Sequence, residues 1–369
     1  MKKIAGVMAA AVLLLSAVHA YNPPVGNESL FEYSSPAVLS GRLSVTGGAL
    51  FSAGPDSIIV NPALTAGEQR TALNAGYTFL YSGNNQNVHQ VGSAFQAGIL
   101  IPFKLYIFSG FLDGNFAEFD EMWLGDNINF KAGLAKEITD KLDVGASVSG
   151  GLKWANGFDW AVAGNLGFNY AFGNLGFMKN FRYGASLLNL GKGYGNSNNV
   201  KFGLAYKDPA DLEEGEENPA ISMFPTYVTL KVGAAGTLFQ NDVMEIGVAL
   251  DLTTPCFQNL IIDLNAQLAL KNMLVLSIGE KFNLVETIHG HNNFVPGVSL
   301  SFKFDFNVKN KESNFNKWVQ HNDWSQSELN ISAGYKNLYG TVHAISAAAD
   351  LNLGMQDTTA PVILISDEE

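Results

Sequence analysis

The chain has 369 residues, 47% of them hydrophobic, with 22 basic against 34 acidic residues and one cysteine. A formal charge of −12 disfavours nucleic acid and anionic membrane surfaces as partners, since both are read by basic patches. The lone Cys256 excludes an intramolecular disulfide framework and a cysteine-rich metal site.

Residues 1–20 read as a secretory signal. Lys2 and Lys3 start it, Ile4 to Val18 form its apolar centre, and Val18-His19-Ala20 offers a small-residue cleavage site before Tyr21. The apolar centre, about 15 residues, falls short of the roughly 20 that cross a bilayer as a helix. Without the signal the balance is 20 basic to 34 acidic residues, formally −14.

From Tyr21 to about residue 69 no clean periodicity holds. Pro23, Pro24, Pro36, Pro55 and Pro62 alternate with Gly41, Gly47, Gly48 and Gly54, which predicts turns and short helices. From Thr71 onward a period of 2 takes over. Leu142, Val144, Ala146, Val148, Leu152 and Trp154 alternate with Asp143, Gly145, Ser147, Ser149, Gly151 and Lys153, so one strand face is greasy and the other polar or small. Leu264 and Leu268 against Asp263, Asn265 and Gln267, and Phe302 and Phe304 against Ser301 and Lys303, repeat the pattern. In the segment 158–172, Trp160, Val162, Leu166, Phe168, Tyr170 and Phe172 share one face, opposite Asp159, Ala163, Asn165 and Asn169.

Fifteen stretches qualify as strands: 71–81, 89–101, 103–112, 127–136, 141–154, 158–172, 180–190, 199–207, 226–238, 242–252, 259–270, 272–284, 295–307, 327–337 and 340–354. Behind an export signal this pattern predicts an all-β fold, a transmembrane antiparallel β-barrel with its apolar face outward. Single-chain bacterial barrels normally have an even strand number. Stretch 103–112, in which neither parity is clearly polar, is therefore dropped, leaving about fourteen. Glycines on the polar parity (Gly145, Gly151, Gly167, Gly233, Gly247) are expected to face a crowded lumen. Short turns at 138–141, 240–241 and 271–272 and long segments at 113–126, 208–223, 285–294 and 308–326 set the connections, though the long ones do not all fall on one side in this count.

Residues 40–65 carry Asn61-Pro62-Ala63 behind Asp56 and the apolar run Ile58, Ile59, Val60. Proline after Asn61 biases that residue to an extended conformation, and its side chain can then bond neighbouring backbone and pin a turn. This stretch resembles the plug of the FadL family of outer-membrane transporters for long-chain fatty acids and other hydrophobic compounds. Leu187-Leu188-Asn189-Leu190-Gly191 and Lys201-Phe202-Gly203-Leu204-Ala205-Tyr206 look like barrel phrases of the same family, particularly of a spirochaete-type branch. The resemblance implies a hatch at 21–69 inside the lumen of a barrel at 70–355, between the signal at 1–20 and a tail at 356–369 that does not continue the barrel. It implies the bacterial outer membrane as location, with bilayer lipid and a hydrophobic small molecule as partners, and passive uptake gated by the hatch. A FadL-like structural or protein-interaction barrel without transport is the alternative. The basic residues that hold a ligand carboxylate in the best-known member match no positions here.

Phe116, Phe119, Met122 and Trp123 recur at helical spacing between acidic residues, which predicts a short amphipathic helix. Its apolar stripe is the candidate for ligand capture on an external loop, with Trp318 and Trp324 as possible additions. His289 and His291 lack further ligands for a metal, and the acidic run from Asp208 to Glu217 lacks calcium-site spacing. Gly191-Lys192-Gly193-Tyr194-Gly195 joins two strands and opens no helix, so it is no phosphate loop. With no Ser/His/Asp grouping either, no enzyme, metal or cofactor is expected. The sequence sets no oligomeric state.

Overall fold

The computed structural model describes residues 32–83, 90–103, 105–119, 122–123, 126–154, 157–194, 225, 227–271, 273–284, 287, 295–307, 314, 317, 319, 324–338, 340 and 342–354. The signal at 1–20, residues 21–31 of the expected hatch, stretch 199–207, segment 208–223, His289, His291, Trp318 and the tail 356–369 lie outside the described residues.

The alternating stretches form β1 (Thr71–Ser82), β2 (Val91–Pro102), β3 (Ile107–Phe116), β6 (Asp126–Glu137), β7 (Leu142–Trp154), β8 (Asp159–Leu175) and β9 (Met178–Lys192). They continue as β10 (Thr229–Gln240), β11 (Met244–Pro255), β12 (Ile261–Leu270), β13 (Leu274–Asn283), β14 (Gly297–Asn307), β15 (Gln326–Leu338) and β16 (Val342–Leu353). A small hairpin, β4 (Glu118–Phe119) with β5 (Met122–Trp123), stands apart. Among the described residues fourteen strands close into one antiparallel barrel, with β1 paired to both β2 and β16. Closure leaves no strand edge unpaired, the condition a sheet must meet in hydrocarbon.

The strand count stands, but one member of it changes. Stretch 103–112 belongs in the wall as β3, paired to β2 and β6. Its inward Phe111 hides the alternation because the surface it faces is itself apolar, near Gly98 and Pro55. The barrel closes without 199–207, since β9 pairs directly with β10 through Gly184↔Gly233. With that order, connections 117–125, 193–228 and 284–296 leave from one end. Turns 103–106, 138–141, 176–177, 241–243 and 271–273 lie at the other. Segment 308–325 is the exception, a long connection at the turn end, so Trp324 cannot join a cluster with 117–125.

The two wall faces divide as the alternation predicts. Leu134, Val148, Leu166, Leu264, Ile331 and Ile345 are exposed on the outside. Ser147, Asn165, Asn169, Gln267, Ser301 and Ser346 are buried inside. Aromatic groups bound the outer band at both ends. Tyr81 and Tyr335 stack on His343, and Phe116 stacks on Phe95 and tilts against Trp154, at the long-loop end. Phe168, Tyr170 and Tyr183 meet near the turns, as do Phe172 and Phe181.

Candidate functional site

The N-terminal segment contains three short elements: α1 (Pro36–Leu39) and two 3-10 turns, Pro55–Ile59 and Pro62–Gly67. Each has a proline in its first turn, where the missing N–H is no loss and the ring presets φ. Asn61 precedes the last of them in extended conformation, φ −158° and ψ 108°, as a residue before proline should.

Asn61 is fully buried and spends its whole amide on three fixed bonds. Its Oδ1 accepts from the Ala63 N–H at 3.0 Å, closing the turn. Its Nδ2 donates to the Val45 carbonyl at 2.8 Å and to the Phe168 carbonyl at 3.0 Å. The first ties the segment to itself and the second ties it to β8. Beneath the tripeptide lie Gly145 and Gly167, direct cross-strand partners on β7 and β8. A Cβ on Gly145 would stand 2.5 Å from Pro62 and Ala63 backbone, and one on Gly167 would overlap the Asn61 amide oxygen. Absent side chains make the flat seat.

Similar seats recur around the wall. A Cβ on Gly233 would strike Val45, one on Gly247 Ala49, one on Gly279 Ser40 and one on Gly297 Leu39. Between the glycines, polar wall residues meet backbone groups of the segment. Asp251 Oδ2 accepts from Val45 N–H at 2.7 Å, and Gln267 Oε1 from Leu50 N–H at 2.9 Å. Asn265 Nδ2 donates to Ser40 O at 3.0 Å, Ser186 Oγ to Val60 O at 2.6 Å and Arg182 Nε to Thr46 O at 2.8 Å. These partners come from β9, β11 and β12, and with the Phe168 carbonyl of β8 they hold residues 32–69 against the inner face around much of the barrel. The sequence offered Asn265, Gln267 and the glycines as an inward face. It did not single out Asp251, Arg182 or Ser186, whose only signal was a polar side chain on the inward parity.

Charged groups hold the segment elsewhere. Glu32 pairs with Lys281 and stands 3.9 Å from Lys231. Burial alone would raise its pKa, but Lys281, Lys231 and Lys336 outweigh that and hold the carboxyl down at about 2. Asp56 is buried in the first 3-10 turn. Loss of hydration and the neighbouring Asp350 push it up to about 6, against the pull of Arg42 and of its own turn amides.

At the long-loop end, a cavity of about 200 Å³ lies beyond Ile59 and Glu32. Leu188 and Ile261 contribute apolar wall, and Asp113, Lys131, Lys231 and Lys281 contribute charge. Tyr194 lies close by, its hydroxyl donating to Asn129 at 2.6 Å and filling the space over Gly151.

The four aromatic and methionine candidates do not form a helical stripe. Glu118↔Trp123 and Phe119↔Met122 pair as a hairpin, and Phe116 ends β3. A strand turns successive side chains to opposite faces, so Phe116 packs outside while Phe119 is fully buried with Tyr33 and Leu80. The side chains of Met122 and Trp123 lie outside the described residues.

No family profile and no curated protein matches the chain. Solved structures do. The toluene transporter TbuX of Ralstonia pickettii superposes with a TM-score of 0.52 at 13% identity, covering 88% of this chain and 99% of that one. The monoaromatic hydrocarbon channel CymD superposes with a TM-score of 0.50 at 11% identity, covering 89% of this chain and 99% of that one. At such identity the likeness is one of fold, and the fold is a barrel of the kind these channels use.

Proposed function

We propose that this chain is a FadL-type transporter of the bacterial outer membrane, taking up hydrophobic small molecules passively. In this reading residues 21–69 are a hatch across the lumen. The outer wall supports the location: an apolar band bounded by aromatic groups suits a bilayer and its two interfaces. The observation that carries the transport reading is the inner wall. Glycines and hydrogen-bonding side chains around much of the inner face are fitted to one N-terminal segment, while a partly apolar cavity remains on its long-loop side. A solute would settle in that cavity and pass when the hatch shifts. Asn61, Pro62, Ala63 and Asp56 are hatch anchors in this account.

TbuX and CymD bear names that refer to toluene and to monoaromatic hydrocarbons. A cavity of about 200 Å³ favours a solute of that size over a whole fatty acyl chain, since an apolar cavity of roughly 150 Å³ takes benzene. The test is uptake of labelled toluene and of labelled palmitate into proteoliposomes, with planar-bilayer conductance recorded on the same protein. Toluene uptake above protein-free liposomes with little ion conductance is expected. A large steady conductance from the intact protein would remove the hatch from the lumen. Uptake of neither probe would favour the interaction-platform alternative.

A further inference from the structure

The cavity contains a carboxylate already, and it belongs to the chain. Glu32 forms an ion pair with Lys281 and faces Lys231 at 3.9 Å, and all three line the same space. Lys281 has a second, more distant acid in Asp263 at 4.0 Å. Glu32 lies deep inside the barrel, yet 34% of its side-chain surface is open because it borders the cavity. The pair is thus formed at an accessible wall, where a competing anion can reach both lysines. Across the cavity Lys131 offers a further ammonium, which makes no hydrogen bond or ion pair among the described residues and has Asp113 as its nearby opposite charge. Ile59, Leu188 and Ile261 supply apolar surface on the same cavity.

We propose that Lys281 and Lys231 form an anion subsite, occupied in the empty transporter by the chain's own Glu32, and that the preferred solute is a small amphipathic carboxylate which displaces it. The proposal rests on the transport reading above and adds the solute's head group and its effect on the hatch. An incoming carboxylate takes over the two ammonium partners, and its apolar body rests on Ile59 and Leu188. Glu32 then keeps only Lys336 of the three ammonium groups that held its charge, and a poorly compensated carboxylate beside a low-dielectric wall is costly to keep. Glu32 leaves its anchor, so occupation of the cavity and release of the hatch at that point are one exchange. A neutral hydrocarbon of equal size fills the cavity without disturbing Glu32.

Calorimetric titration of the full-length protein in nonionic detergent with benzoate and with toluene tests this, because the two probes share a ring and differ in charge. A subsite blocked by Glu32 for nine-tenths of the time or more weakens apparent benzoate affinity in proportion. Glu32→Gln should therefore tighten benzoate binding about tenfold or more and leave toluene within about twofold. Lys281→Met placed in the Glu32→Gln background should abolish that gain and again spare toluene. Glu32→Ala serves as the second variant if Glu32→Gln loses the heat-modifiable gel shift of a folded barrel. Unchanged or weaker benzoate binding in these variants overturns the proposal, as does equal tightening of benzoate and toluene, which would signal a generally loosened hatch. If toluene binds and enters proteoliposomes while benzoate ignores Glu32, the anion subsite alone fails. If neither probe binds, the transport reading falls with it.

Discussion

The same strands present two faces built by opposite rules. On the outside, Leu264, Val148 and Ile345 meet a surrounding that asks only for apolar character. On the inside, Gly145, Gly167 and Gly233 meet one particular backbone, and a single added carbon would collide with it. Polarity specifies the outer face and fit specifies the inner one. An outer position should tolerate any apolar residue of moderate size and reject charge. An inner glycine should reject even alanine, while its polar neighbours accept isosteric exchange.

The largest expected effect breaks the outer rule. Leu264→Arg should destabilise the inserted barrel by about 2–4 kcal/mol near the bilayer midplane, whereas Asp263→Asn, one residue away on the inner face, should leave it nearly unchanged. Urea titration of both variants folded into lipid vesicles reads the difference. Equal tolerance would mean that the outer band does not face hydrocarbon.

The inner rule is broken at the tripeptide. Gly167→Leu places a branched side chain where the Asn61 amide lies, an overpacking that costs about 1–3 kcal/mol. The wall itself has no reason to fail, since the strand pairing of β7 with β8 is untouched. The expected outcome is a folded, heat-modifiable barrel with frequent channel openings in planar bilayers. Asn61→Ala acts on the same seat by removing bonds instead of adding bulk. It removes bonds to Val45, Phe168 and Ala63, worth about 0.5–1.5 kcal/mol each. Sporadic openings with unchanged barrel stability are expected, and a fully quiet channel would show that Asn61 is not an anchor.

These rules also explain what could be read before the structure. The outer face was legible on most strands, because hydrocarbon imposes a period-2 alternation on the wall. β3 was misjudged where that signal is blurred, at Phe111, whose inward environment is as apolar as the outer one. The inward glycines were legible as a set, and Asn61 as a turn-former. Their union in one contact was not, since Gly145, Gly167 and Asn61 are distant in sequence and meet only when the barrel closes. Phe116 to Trp123 fits two periods equally well over so few residues, and the strand pairing of Phe119 with Met122 decides against a helix. The Glu32–Lys281 pair carried no local signal at all.

The smallest effect compares two ways of holding the same segment by charge. Glu32 is lowered from 4.5 to about 2, so the hold it contributes is complete above pH 4.5 and is lost as pH falls through 2. Asp56 is raised from 3.8 to about 6, chiefly because burial penalises its charged form, with Asp350 adding repulsion. Its sign is the reverse: the hold is complete below 3.8 and is lost as pH rises through 6. Between pH 4.5 and 7 the Glu32 anchor is therefore constant while the Asp56 turn titrates. A spin label at Ser52, exposed and close to that turn in sequence, should gain mobility as pH rises through about 6. Asp56→Asn, neutral at every pH, should hold the label at its low-pH mobility throughout. A label that loosens as pH falls instead, or a transition that persists in Asp56→Asn, would mean that another group controls the turn. The tripeptide seat, made of neutral bonds and glycine contacts, should stay fixed across the same range, so a label reporting on Ala63 separates the charge-held part of the segment from the part held by fit.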